Sequence, residues 1–250
     1  MASASDVQIR PYRTSDFPQV RALLFQGFLT GKRSVASATL VSFLWSAPMF
    51  CSYFLSLCGG FLLYYLPRWD RLEGAMGFLL LAFGLGIYLA LRYAIRNDLR
   101  SVCEKALESD MRDIAAHYAT PGAFLVAVRQ AEGDKKNDDA EKGEEVLGFI
   151  GLEPPLDKKS HTAELRRLVV SPSHRGRGLA KQLVSAAIAH AESIKGIDAI
   201  ELSTSDFQRG ARKLVEGLGW EFTKSHLQWT GVGDATVCRF RRAVEGKKRR

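Results

Sequence analysis

The stretch LVVSPSHRGRGLA, residues 168–180, decides the fold. Leu168, Val169 and Val170 close an apolar strand, a short turn follows, and Leu179 and Ala180 open a helix after two glycines. The first N–H groups of a helix have no intrahelical partner and point outward together, so they can receive a phosphate without a cationic side chain. Gly176 and Gly178 keep Cβ atoms out of the way of an approaching pyrophosphate. Arg175 and Arg177 stand beside them as sources of charge-assisted contacts, and His174 precedes the loop in a structural or ligand-contacting position.

Working outward, 163–170 reads as the central strand, 179–194 as the helix after the loop and 197–203 as the next strand. Towards the N-terminus, 124–128 and 146–152 read as an antiparallel pair joined by the charged segment QAEGDKKNDDAEKGEE. Apolar residues Leu99, Val102, Cys103, Ala106 and Leu107 recur at helical spacing over 99–118, and Pro121 with Gly122 ends that element. A short strand at 7–10 and an amphipathic helix begun near Ser15 open the chain, and strands at 220–230 and 236–242 close it.

Interrupting this pattern is an apolar hairpin. No charged residue occurs between Arg33 and Arg68, and 74–91 carries none either. A helix needs about 20 apolar residues to cross the hydrocarbon core, which the run at about 38–66 exceeds and 74–91 nearly meets. The connection PRWDRLE between them has Pro67 to stop a helix and Trp69 to suit an interface. Arg10, Arg13, Arg21, Lys32 and Arg33 precede the first run, and Arg92, Arg96 and Arg100 follow the second, so both flanks are expected on the cytosolic side. Pro48 and the pair Gly59 and Gly60 would kink the first helix or make the element re-entrant. A buried helical pair in a soluble core is the other reading of the same runs.

The chain has 250 residues, 46% of them hydrophobic, and a formal charge of +8. Its Lys and Arg residues are scattered among acids rather than gathered with aromatics on one face, which fits an anionic membrane leaflet or a phosphorylated cofactor and not nucleic acid. Four cysteines without a C-x-x-C pair or a His/Cys cluster support neither a metal site nor a disulfide framework.

Arg175, Gly178 and Ala180 fit the R/Q-x-x-G-x-G/A signature, and the chain resembles the GNAT acetyltransferase superfamily on this loop. VQIRPYRTSDFPQVRALL resembles that family's first strand and helix, and DFQRGARKLVEGLGW its late helix and the step into the next strand. Gln208 and Ala211 occupy the N/Q-x-x-A positions of that helix. The resemblance implies an α/β fold of the α+β kind: a mixed, mostly antiparallel sheet flanked by helices. Residues 1–33 and 97–242 would form the domain, 34–96 the inserted membrane hairpin, and 243–250 a basic tail.

It also implies acetyl-CoA as co-substrate, with the pyrophosphate on residues 174–180. The pantetheine arm would lie between Leu168, Val169 and Val170 on one strand and Ser203 on the next, with Gln208 nearby. Acetyl would pass directly to an amine, with an oxyanion donor from a backbone amide near Leu168 or Val169, where the family's strand is bulged. Glu164 is the first candidate base and Glu201 the second; both are strand carboxylates that need burial to raise their pKa. The family commonly carries a tyrosine in its late helix as acid towards the CoA sulfur, and Val215 stands at that position here. Water or Ser205 could supply that proton, or the thiolate could leave unprotonated.

A hairpin inserted after the first strand and helix resembles the branch that acetylates aspartate, cysteine conjugates or protein lysines at the endoplasmic reticulum. The terminal KKRR resembles that membrane's dilysine retrieval signal. Alternation sends Arg166 and Arg167 to opposite sheet faces, where one could meet an acceptor carboxylate. The competing expectation is a non-catalytic, membrane-tethered acyl-CoA-binding scaffold, which Val215 favours.

Overall fold

The computed structural model describes residues 7–31, 34–65, 71–130, 144–155, 161–230 and 233–244. The polar connection with Pro67 and Trp69, most of the charged segment after Gln130, and the KKRR terminus lie outside them. In chain order the elements are β1 (Val7–Pro11), α1 (Phe17–Leu29), α2 (Val35–Phe43), α3 (Ala47–Tyr65), α4 (Arg71–Glu108) and α5 (Ile114–His117). Next come β2 (Ala123–Gln130), β3 (Glu144–Glu153), β4 (Thr162–Val170) and α6 (Leu179–Ser193). The chain finishes with β5 (Ala199–Ser205), α7 (Arg209–Gly217), β6 (Glu221–Thr230) and β7 (Gly233–Ala243). The strands form one sheet in the order β1-β2-β3-β4-β5-β7-β6, in which β4 and β5 are parallel and the other neighbours antiparallel.

Each face of the sheet has its own core. On one, α6 lays down Leu179, Leu183, Val184, Ala187, Ile188 and Ala191, a stripe at helical spacing, over Leu147, Ile150, Leu165, Ile200 and Leu202. On the other, Val20, Leu23 and Leu24 of α1 and Cys103 and Ala106 of α4 cover Val126, Phe149 and Val169. Because strand residues alternate between faces, the positions between Ala163 and Leu165, and between Ile200 and Leu202, point to the α1 and α4 side.

The apolar segments form three helices. The first run breaks at 44–46, ahead of Pro48, giving α2 and the 19-residue α3. Ser34 starts α2 by accepting the Ser37 amide at 3.2 Å. Gly59 and Gly60 lie within α3 without breaking it, because Gly59 serves a close approach: a Cβ there would sit 2.7 Å from the carbonyl oxygen of Gly77. With Ser52 Oγ donating to Gly84 O at 2.8 Å, the pairs 59/77 and 52/84 show α3 and α4 packed antiparallel.

The second run and the amphipathic segment after it are not separate elements. They form one 38-residue helix, α4, with no Gly or Pro between Arg92 and Glu108 to interrupt it. Among the described residues two helices are thus long and apolar enough to cross a membrane, and their large side chains face outward: Leu57, Tyr64 and Leu79 are 73%, 78% and 68% exposed. The root of the hairpin reaches back to the sheet, where Phe43 of α2 meets Phe207 just past β5, their ring centroids 6.3 Å apart.

Candidate active site

The parallel pair β4 and β5 stays in register for four positions, from Thr162 opposite Ala199 to Leu165 opposite Leu202. Beyond them β4 continues against β3 alone and β5 against β7 alone, so the two strands part. Leu168, Val169 and Val170 line one side of this opening and Ser203, Thr204 and Ser205 the other. An opening of this kind presents backbone edges that no neighbouring strand uses, which suits an extended polar chain.

The loop leaving β4 turns through a short 3-10 segment, Pro172–His174, and then through Gly176 and Gly178, both at φ 83°. Gly178 is the N-cap of α6, and no side chain caps that helix. A Cβ on Gly178 would meet nothing within 4 Å, so its left-handed backbone, and not crowding, requires glycine. The first amides of α6 therefore face open space uncapped, an arrangement suited to an anion.

The charged residues of the loop divide their work. Arg175 donates from Nε to Val170 O at 3.1 Å and from a terminal nitrogen to Gly27 O at 3.0 Å, strapping the loop to β4 and α1. Arg177 is exposed beside the glycines. His174 shares a 2.9 Å hydrogen bond between Nδ1 and Ser173 Oγ, and burial, helped by Arg129, draws its pKa below the ordinary histidine value. It is thus neutral at physiological pH and adds no cation. Gln208 occupies the N-cap position of α7 without a side-chain bond to that helix; its side-chain oxygen accepts instead from Thr204 Oγ1 at 3.0 Å, which ties α7 to the end of β5.

On the α1 and α4 side, three carboxylates form one cross-strand row at the point where the strands part. Glu153 lies opposite Glu164, and Glu164 opposite Glu201. Like charges in register repel, and two arginines offset this, with a histidine nitrogen also in contact. Arg166 contacts Glu153 at 2.8 Å and Glu164 at 3.7 Å, His117 Nε2 lies 3.2 Å from Glu153, and Arg239 is 3.4 Å from Glu201. The Glu164 and Glu201 side chains are 36% and 22% exposed, whereas that of Glu153 is 8% exposed. The two sequence candidates are thus brought side by side. The sequence reading missed Glu153 and His117, because it ended the third strand one residue short, at Leu152, and His117 enters only through the packing of α5.

Arg167 departs from the alternation expected of it. Between the pairs Gly151/Arg166 and Phe149/Val169, two residues of β4 oppose one of β3, and Arg167 has φ 57°. This bulge turns Arg167 to the same side as Arg166, where Nε and a terminal nitrogen of its guanidinium clasp both oxygens of Asp110, Nε at 2.8 Å. Asp110 also accepts from Tyr118 Oη at 2.7 Å and Ser109 Oγ at 2.9 Å. Burial alone would raise the Asp110 pKa, but Arg167 and Tyr118 outweigh it and hold the carboxyl well below its usual range. The Tyr118 hydroxyl is pushed far above its ordinary value by burial and by Asp110. Val215 is fully buried in the core under α6, so its position offers no group to the opening.

A model of the acetyltransferase (GNAT) family matches residues 93–220. Among curated proteins, N-acetyltransferase 8F1 of Rattus norvegicus is 31% identical over 157 residues, 60% of this chain and 65% of that protein. N-acetylaspartate synthetase of Danio rerio is 28% identical over 229 residues, 86% of this chain and 67% of that one. N-acetyltransferase 8B of Rattus norvegicus is 33% identical over 143 residues, 54% and 57%. The chain thus matches two thirds or less of the length of these relatives. Among solved structures, a GCN5-related N-acetyltransferase from Kribbella flavida shares the fold, with a TM-score of 0.50 at 16% identity over 96% of this chain and 99% of that one.

Proposed function

This chain belongs to the acetyltransferase (GNAT) family, and on that premise we propose that it moves acetyl from acetyl-CoA to an amine while anchored in a membrane. The observation that carries the reading is the opening between β4 and β5, bulged on one strand and ending at an uncapped helix start. An open space where a Cβ on Gly178 would stand is what a pyrophosphate cradle needs. The amides of residues 176–180 and the side chain of Arg177 would hold the phosphates. Leu168, Val169, Val170 and Ser203 would border the pantetheine arm, with Gln208 fixing the far end of β5.

Bound acetyl-CoA supplies an activated thioester, whose C–S bond breaks as a C–N bond to the amine forms. Glu164 takes the proton from the incoming ammonium, with Glu201 beside it as second candidate. A backbone amide near Leu168 or Val169, at the bulge in β4, donates to the carbonyl oxygen as charge develops there. With Val215 in the core, Ser205 or water protonates the thiolate, or it departs as the anion, which a thiol pKa of about 8.5 permits. The acceptor is an amino acid, a cysteine conjugate or a protein lysine.

The hairpin is the anchor in this reading. Nineteen helical residues in α3 reach about 28 Å at 1.5 Å per residue, close to the hydrocarbon thickness. The outward-facing aromatic and leucine side chains suit acyl chains better than water. Arg92, Arg96 and Arg100 on the exit side favour a cytosolic catalytic domain. Resistance to carbonate extraction and protection of the hairpin from protease in sealed vesicles would support this placement; release into the soluble fraction would refute it.

The reaction is tested by CoA release from acetyl-CoA with detergent-purified protein and a panel of aspartate, S-substituted cysteines, lysine peptides and polyamines. Amine-dependent release, lost in Gly178→Glu and reduced about 10²- to 10⁴-fold in Glu164→Gln, is expected. Binding of acetyl-CoA without release to any amine would instead favour the scaffold reading, the one that the buried Val215 supports.

A further inference from the structure

Arg167 is the one non-glycine residue with positive φ among the described residues. For an L-residue that conformation brings Cβ against the following carbonyl, and it persists only where the surroundings over-determine it. Here they do so from one side. The two-point clasp of Arg167 by Asp110 fixes β4, with Nε to Oδ2 at 2.8 Å. Tyr118, which donates to that same carboxylate, fixes β3: its ring lies over Gly151, so closely that a Cβ there would sit 2.6 Å from it. Gly151 pairs with Arg166, the residue immediately before the bulge. One buried acid and one buried phenol therefore hold both strands at the bulge that immediately precedes the Leu168 amide.

The acid has no capacity left for a substrate. Asp110 is 3% exposed, and its two oxygens already accept from Arg167 twice, from Tyr118 and from Ser109. Its place in the chain matters too. It lies two residues past the end of α4, the helix that continues from the apolar hairpin, and Cys103, Ala106, Met111 and Ile114 on either side of it are buried in the core. The clasp is thus anchored by the same helix that carries the second apolar run.

We propose that Asp110 and Tyr118 are positioning residues for acetyl transfer: they hold the Arg167 bulge, and with it the Leu168 amide, where the thioester oxygen develops charge. The proposal rests on the transferase reading above. Arg167 acts through its backbone conformation, and its side chain serves to lock that conformation and not to contact the acceptor. Glycine adopts φ near 57° without support, so glycine at position 167 should make the clasp dispensable.

The test uses the detergent-purified full-length chain carrying Asp110→Asn, Tyr118→Phe, Arg167→Gly, and Asp110→Asn combined with Arg167→Gly, each checked for native circular dichroism. Asp110→Asn is expected to lower kcat on the order of 10²-fold, the scale of losing an oxyanion donor, with the KM for acetyl-CoA unchanged. Tyr118→Phe is expected to lower it less. Adding Arg167→Gly to Asp110→Asn should restore kcat by about tenfold, as glycine's freedom replaces the clasp. If Arg167→Gly alone is as inactive as Asp110→Asn and the pair shows no recovery, the guanidinium acts on substrate and the proposal fails. Amide hydrogen exchange gives a reading independent of turnover: the 167–169 amides should exchange faster in Asp110→Asn and Tyr118→Phe, and unchanged exchange overturns the clasp. A wild-type chain that acetylates no amine would refute the transferase reading by itself, while the exchange measurement still decides whether the clasp holds the bulge.

Discussion

Gly178 and Arg167 both run through the left-handed backbone region, at φ 83° and 57°, yet the molecule stabilises them by opposite means. At Gly178 the conformation is accommodated locally. The residue has no Cβ, nothing lies within 4 Å of where one would be, and its left-handed backbone needs no side-chain partner to hold it. At Arg167 the conformation is disfavoured locally, by about 1–2 kcal/mol for an L-residue, and is held from outside by Asp110, with Tyr118 bracing the facing strand. The first arrangement leaves a surface open to a ligand. The second fills its surroundings with side chains and fixes one amide. A ligand cradle and a catalytic donor impose different demands, and the two solutions lie eleven positions apart in the chain.

The sharpest way to break that contrast is to remove the outside support. Asp110→Ala leaves the Arg167 guanidinium without its partner and Tyr118 Oη without its acceptor. Breaking a buried pair from one side costs about 3–5 kcal/mol, and because the Arg167 side chain keeps 23% exposure the lower end, about 3 kcal/mol, is expected. Chemical denaturation of the detergent-solubilised chain measures it. A loss near zero would mean that the bulge is stable by itself and that the two sites do not differ in kind.

Gly178→Val tests the other side of the comparison. A branched side chain at φ 83° costs about 1–2 kcal/mol of stability, and because it has room, the cost should stop there. Affinity for acetyl-CoA should fall about 10- to 100-fold through loss of one charge-assisted amide contact, read by calorimetric titration. A large stability loss with affinity intact would show that glycine is there for packing.

The same contrast explains what the sequence made legible. A residue that solves its own backbone problem is visible in the sequence, so the loop after β4, the helix it opens and the two glycines were readable from 168–180 alone. Glu164 and Glu201 were readable too, since alternation along a regular strand fixes the face. Alternation failed at Arg167 because a bulge inserts one residue, and nothing local to Arg166 or Arg167 marks it; its cause is Asp110, 57 residues earlier. Glu153 became visible only through register, which sets it opposite Glu164. The continuity of α4 was hidden for the opposite reason. A change from apolar to polar composition near Arg92 suggested two elements, although helix formation depends on the absence of Gly and Pro and not on the solvent around it.

Gly151→Ala probes the brace on the facing strand, with an effect smaller than that of Asp110→Ala. The new methyl would press on the Tyr118 ring, which is held at its far end by Asp110 and cannot swing away without giving up that bond. Overpacking of this kind costs about 1–3 kcal/mol. Thermal unfolding reads the cost. Paired with Tyr118→Leu, which removes the ring, the alanine should be better tolerated than in the wild type; equal losses in both backgrounds would show that ring and glycine are not coupled.

The smallest effect is a pH window. Asp110 has its folded pKa lowered by Arg167 and Tyr118 against the opposing effect of burial, so its stabilisation is complete above the unfolded aspartate value of about 4 and is lost as pH falls through the folded value. Tyr118 has its folded pKa raised, by burial first and by Asp110 next, so its stabilisation is complete below the unfolded tyrosine value of about 10 and is lost as pH rises through the folded one. One hydrogen bond, with its donor protonated and its acceptor ionised, therefore bounds a plateau from both ends. Asp110→Asn should flatten the acid edge of the stability profile and, by removing the charge beside the phenol, soften the alkaline edge as well. Tyr118→Phe should abolish the alkaline contribution and leave the acid edge largely in place, because Arg167 still holds the carboxylate. At Gly178 nothing titrates, so Gly178→Val should lower the plateau without changing either edge.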